Sequence, residues 1–169
     1  LNPHERLSDP KSLLKTIAEG VKRAQDAVQD KFQPMILCTH PMDEATCKEL
    51  AELCGGTMLT NSTYLSHDIQ AVIRRCGILV GMRFHSIVLA SSVETPVVGL
   101  IYAPKVRGYL RLLECEDYSL ELASLTPTSL GNKLTEAWNA RKELQERQRP
   151  IIGDLKEGAE HAADLLSLI

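Results

Sequence analysis

The sequence predicts an α/β fold organised on a doubly wound parallel sheet of about five strands. Three observations predict it. Short, nearly continuous apolar runs at 35–39, 78–81 and 97–102 have the character of strands buried on both faces. Helical segments alternate with them, as crossovers between parallel strands require. At 169 residues the chain is long enough for one domain with a substantial core and too short for two ordinary ones.

The elements follow in order. Ser8-Asp9-Pro10 has the chemistry of a helix start, and Leu14, Ile17, Val21, Ala24 and Val28 then recur at helical spacing. Met35 to Thr39 is the first strand; Pro41-Met42-Asp43-Glu44 opens a second helix that Gly55-Gly56 stops. Thr57 to Thr60 reads as a strand, Asn61 to Ser66 as a polar loop, and Ile69, Val72, Ile73 and Cys76 as one face of a helix capped at His67-Asp68. Ile78 to Gly81 is the third strand, with a helix over 83–93. Pro96 to Tyr102 is the fourth, and Pro104 sits where a first helical turn tolerates proline, ahead of Lys105 to Glu114. Tyr118 to Leu122 makes a shorter fifth strand. From Gly131 the pattern turns to long helix, and Pro150 predicts a kink or break near Arg149, leaving two helices with an apolar stripe through Leu155, Ala159, Ala162 and Leu166. The division is therefore an α/β unit over 1–130 and helices over 131–169, packed on that unit or on another domain.

Composition removes several classes. A formal charge of −3 supplies no broad basic face for nucleic acid, so anion binding must be local. No run reaches the roughly 18 apolar residues of a membrane span, and the polar start lacks a signal-peptide pattern. Five cysteines with no CxxC pair read as buried thiols of a reducing compartment, hence a cytoplasmic location, with peripheral attachment to the inner membrane face as a variant. A chain opening with Leu1 fits a domain taken from a larger protein, and equally a processed chain. There is no GxGxxG, GxxxxGK[ST] or GxSxG, which counts against a classical dinucleotide fold, a P-loop nucleotidase and an α/β hydrolase. Cys38 and His40 lack a second ligand pair, so no metal is expected, and no cofactor. Glu94 and Glu114 stand as isolated carboxylates, and His4 and His161 carry no site claim.

Open α/β sheets bind ligands at the carboxyl ends of their strands. There the third strand runs into Gly81-Met82-Arg83-Phe84-His85-Ser86, and the fourth into Tyr102-Ala103-Pro104-Lys105-Val106-Arg107. Arg83 offers a fork of donors for carboxylate or phosphate, and His85 a donor or proton-transfer group. The competing reading pairs Arg83 with a nearby acid and leaves His85 as a helix cap. Lys105 and Arg107 have no place in a core, so they face solvent or the crevice. Arg83, His85 and Lys105 on adjacent strands could converge on one small anion. His40 is expected in the loop at the first strand end, touching ligand or a neighbouring domain, and Asn61 in a polar loop at the crevice.

The segments Gly81 to Ala90, Pro96 to Leu100 and Tyr102 to Leu110 together resemble the polysaccharide pyruvyl transferase family, a likeness that extends from about Pro34 through most of the chain. The resemblance implies two facing α/β domains in a glycosyltransferase-B-like arrangement, of which this chain is the Rossmann-like C-terminal half. It implies transfer of the three-carbon unit of phosphoenolpyruvate onto two hydroxyls of a sugar or lipid-linked saccharide as a pyruvate ketal, with phosphate released. The catalytic pair is then His85 and Lys105, and Arg83, Arg107, Tyr102, His40 and Asn61 bind substrate. Family members commonly carry aspartate where this chain has Ala103. A nucleotide-sugar glycosyltransferase domain and a non-catalytic anion-binding domain are the alternative readings.

Overall fold

The computed structural model describes residues 9–166. Ser8, His4 and the side chain of Leu166 lie outside the described residues. Helix α1 (Pro10–Ala27) starts where its cap is: the Asp9 carboxylate accepts from the Ser12 N–H at 3.2 Å, and Pro10 needs no donor partner in the first turn. Strand β1 (Met35–Cys38) leads through a 3₁₀ turn (Pro41–Asp43) into α2 (Glu44–Cys54), which Gly55 ends in the left-handed conformation at φ 61°. Then come β2 (Thr57–Thr60), α3 (Ser66–Ile73), β3 (Leu79–Gly81), α4 (Phe84–Ser92), β4 (Val97–Ile101), α5 (Pro104–Leu112), β5 (Ser119–Glu121) and α6 (Pro127–Leu166). Asp68 closes the start of α3 by accepting from the Leu65 N–H at 3.1 Å.

All strand pairs are parallel, as the apolar runs predict, but they form two sheets. β1 pairs with β2, and β3, β4 and β5 form a second sheet in that order. Among the described residues no ladder joins β1 to β3, so of the expected sheet of about five strands the structure shows a two-stranded and a three-stranded parallel sheet. β4 is buried along its whole length, whereas Met35 in β1 and Val80 in β3 remain 46% and 37% exposed.

β4 divides the core by its two-residue period. Val97 and Ile101 face a cluster with Ile69, Ile73, Ile87, Val106, Leu110 and Leu113, onto which Leu37, Leu59 and Leu79 from the other strands pack. Val98 and Leu100 face a second cluster made with α1 and α6, including Leu13, Ala24, Leu130, Leu134 and Leu144. Gly20 and Gly131 let those two helices approach: a Cβ on Gly20 would lie 2.8 Å from Cβ of Leu130, and one on Gly131 2.8 Å from Cβ of Arg23.

The last helix corrects the sequence reading. α6 is one 40-residue helix with Pro150 inside it, so of the expected kink or break near Arg149 the break into two helices does not occur. A mid-helix proline costs about 3 kcal/mol. Contacts on both sides of it offset this: Gln145 donates to the Glu94 carbonyl at 3.0 Å, Arg149 Nε to the Glu94 carboxylate at 3.0 Å, and Ile152 is buried in the first cluster. Glu94 is therefore not an isolated carboxylate. Beyond Ile152 the residues to Asp164 are exposed, Leu155 included.

Glu94 and Glu114 have positive φ, at 62° and 52°. Both follow a helix and close it: Thr95 N–H donates to the Ala90 carbonyl and Cys115 N–H to that of Leu110, each at 2.9 Å. Left-handed backbone costs a non-glycine residue about 1–2 kcal/mol. Glu114→Gly, which sacrifices no ion pair, is expected to raise unfolding free energy in urea by about 0.5–1 kcal/mol after the added chain entropy is subtracted. An unchanged or lower midpoint would show that the turn carries no strain.

Candidate functional site

The loops after β1, β2 and β3 enclose a cavity of ≈ 210 Å³ lined by Thr39, His40, Asn61, Ser66, Ile69, Arg83, His85 and Leu89. Ile69 and Leu89 make the apolar part, and the remaining lining groups can all hydrogen-bond. His40 caps the 3₁₀ turn: its Nδ1 accepts from the Met42 N–H at 3.3 Å, and its carbonyl from the Asp43 N–H at 2.9 Å. Asn61 ties the ends of β1 and β2, its side chain donating to the Thr39 carbonyl at 2.9 Å and its N–H to that of Cys38 at 3.1 Å. Glu44 accepts from the hydroxyls of Ser62 and Thr60, and these bonds, Ser62 first, hold its carboxyl below the usual range.

Arg83 is the last residue before α4, and its carbonyl accepts from the Ser86 N–H at 3.0 Å. Its guanidinium makes a two-pronged ion pair with Asp43, Nε to Oδ2 at 2.6 Å and Nη2 to Oδ1 at 2.7 Å. These bonds hold Arg83 charged beyond its ordinary range, and Tyr102 adds in the same direction. The competing sequence reading of Arg83, pairing with a nearby acid, is thus realised, yet the residue still lines the cavity. His85 is exposed on the first turn of α4, its ring edge-on to Phe84 at 5.9 Å.

Lys105 does not line the cavity. It is exposed, with Nζ 6.0 Å from the centre of the Phe84 ring, the same ring that meets His85. Among the described residues it has no acidic partner. Arg107 is committed elsewhere: it pairs with Glu116 at 2.8 Å and with Glu121. Tyr102 is half-buried and packs against both core clusters. Of the residues singled out from the sequence, then, His40, Asn61, Arg83 and His85 come together, Lys105 stands behind Phe84, and Tyr102 and Arg107 lie outside the lining. Sequence reasoning missed Thr39, Ser66 and, above all, Asp43. Its position in the turn that follows β1 was the available signal, but in Pro41-Met42-Asp43-Glu44 it has the look of a helix-start acid.

This geometry suits a small anion: the Arg83 guanidinium and the imidazoles of His40 and His85 line the cavity together with the hydrogen-bonding side chains of Thr39, Asn61 and Ser66. The same elements carry the comparison with known proteins. Residues 25–104 match the polysaccharide pyruvyl transferase family. The match takes in His40, Asn61, Arg83, His85 and Tyr102 and ends at Pro104, one residue before Lys105, so it is narrower than the resemblance read from the sequence. No curated protein and no solved structure matches the chain. Among the described residues no helix is long and apolar enough to cross a membrane.

Proposed function

We propose that this chain is the donor-binding half of a pyruvyltransferase, an enzyme that moves the three-carbon unit of phosphoenolpyruvate onto a sugar as a ketal. The observation that carries the reading is the coincidence of two facts: the pyruvyl transferase match spans the β1 to β4 region, and Arg83 and His85 within it line one small cavity at strand ends. A cavity of ≈ 210 Å³ lies below the roughly 300–1,000 Å³ of sites for drug-sized ligands, which favours a three-carbon phosphate ester over a nucleotide sugar.

In the proposed reaction the methylene carbon of phosphoenolpyruvate takes a proton, making the adjacent carbon electrophilic. One sugar hydroxyl adds there and loses its proton, phosphate departs with the C–O bond electrons, and a second hydroxyl closes the ketal. One hydroxyl proton balances the new methyl group and the other leaves with phosphate. Imidazole is suited to such transfers near neutral pH, so His85 is assigned the proton steps. Arg83 holds the donor's carboxylate or phosphate. Lys105, lacking an acidic partner beside Phe84, is assigned to the charge of the departing phosphate, and Ala103 leaves it without the neighbouring carboxylate usual in the family.

We further read the two sheets as halves of one doubly wound sheet in the order β2-β1-β3-β4-β5. The shared cluster beneath Leu37, Leu59 and Leu79 and the Asp43–Arg83 pair at the strand ends support this. Residues 1–130 would form the donor-binding unit, which includes the first turn of α6, braced by the rest of that helix. Met42, Tyr64 and Leu65 stand exposed on the loops around the cavity, which suits cover by a facing N-terminal domain in a glycosyltransferase-B-like enzyme that presents the acceptor saccharide. Free cysteines at all five positions support a cytoplasmic site.

Titration with phosphoenolpyruvate while recording backbone amide spectra tests the reading. Saturable shifts centred on 81–86 and on 39–43 are expected, weakened in His85→Ala and, for the phosphate-bearing donor, in Lys105→Ala. Shifts with a uridine or guanosine diphosphate alone would reverse the assignment in favour of nucleotide-sugar transfer.

A further inference from the structure

Arg83 reaches the cavity with one edge already engaged. A guanidinium has five N–H donors in a rigid fork. The Asp43 carboxylate takes one on Nε and one on Nη2, while both on Nη1 and the second on Nη2 meet no acceptor among the described residues. The acid is held in turn by the 3₁₀ turn whose start is capped by His40, so one short turn fixes a cavity-lining imidazole and the partner of a cavity-lining arginine. The pair also bridges the ends of two strands, β1 and β3, that share no ladder. With side chains 31% and 50% exposed, it contributes little to stability as an ion pair.

We propose that Asp43 is the positioning residue of this site: by occupying the Nε/Nη2 edge of Arg83 it presents the Nη1/Nη2 edge as a preset two-donor fork for an oxyanion beside His85. The inference rests on the anion-binding reading of the cavity and is independent of whether that oxyanion belongs to a carboxylate or a phosphate.

Charge alone argues the reverse. A carboxylate next to an anion site repels the ligand, so neutralising Asp43 makes the site more positive by one unit and tightens binding. Orientation argues that an unpinned arginine, with its many rotamers, must be ordered anew by each ligand. The two effects differ in sign, and the sign is measurable.

The test compares the unaltered chain with Asp43→Asn and Asp43→Glu, titrated with inorganic phosphate and with phosphoenolpyruvate, with amide spectra and melting curves as fold controls. Asp43→Asn is expected to weaken binding roughly fivefold despite the added positive charge, and Asp43→Glu to restore most of it. If the unaltered chain binds and Asp43→Asn binds as tightly or more tightly, Asp43 does not position Arg83, and the anion reading stands without it. If the unaltered chain shows no saturable response to either ligand at millimolar concentration, the anion reading falls and the proposal with it. An Asp43→Asn chain that loses its native spectrum would make the pair a structural tie and also overturn the proposal.

Discussion

Gly99→Ala is expected to destabilise the protein by about 2–3 kcal/mol, the cost of forcing a methyl group into a closed core. Gly99 lies between Val97 and Ile101 on the face of β4 that meets α5. A Cβ there would overlap Cδ1 of Leu110 and come within 3.2 Å of its Cγ and Cδ2. Leu110 is fully buried in one cluster with Ile87, Val106 and Leu113, so close packing resists its displacement. For a chain of this size the cost corresponds to a melting-temperature drop of roughly 4–12 °C. Gly108→Ala is the matched control. It lies in the same helix with nothing within 4 Å of the added carbon, and helix propensity favours alanine by up to about 1 kcal/mol. Equal melting temperatures for the two variants would contradict the packing described for β4.

The largest effect on ligand binding is expected at Arg83. Arg83→Ala removes the donors facing the cavity and leaves the Asp43 carboxylate uncompensated beside it, so lost attraction and new repulsion act together. Charge-assisted hydrogen bonds contribute about 1.5–3 kcal/mol, which converts to a roughly 10- to 100-fold loss of affinity for phosphoenolpyruvate. Arg83→Lys keeps the charge but lacks the planar fork needed to serve Asp43 and an oxyanion at once, and is expected to recover only part of it. Stability should change little, because the pair is half exposed. A variant that binds as the unaltered chain does would remove Arg83 from the site.

The strands and helices were legible where one residue pattern has one structural meaning. The run at 97–102 is apolar at every strand position because β4 is covered on both faces, and the glycine at 55 ends α2 in the only conformation for which glycine is the default. Pairing was less legible. Apolar runs report burial and not the identity of the neighbour, so nothing in 35–39 or 78–81 showed that β1 and β3 would lack a ladder. The site divides in the same way. Placement of Arg83 and His85 at a strand end followed from local order, but the acid that grips Arg83 lies 40 residues away in sequence. For Arg107 the decisive acids are Glu116 and Glu121, one of them in β5, and no local spacing announces such a triad. Pro150 misled because its local cost is fixed while the contacts that offset it, through Gln145, Arg149 and Ile152, are tertiary.

The joining of α1 to α6 has a consequence for how the molecule comes into being. The Trp138 indole N–H donates to the Asp30 carbonyl across 108 residues of sequence, and Arg141 reaches the Asp30 carboxylate across 111. Until the segment from Pro127 onward has left the ribosome, the cluster of Val98 and Leu100 of β4 with the apolar residues of α1 lacks Leu130, Leu134, Ala137 and Leu144. The nascent chain therefore carries a partly open apolar surface from the synthesis of α1 until that of α6. Such long-range closure slows folding and lengthens exposure to aggregation, which makes the helix from Pro127 the element whose docking ends that exposure.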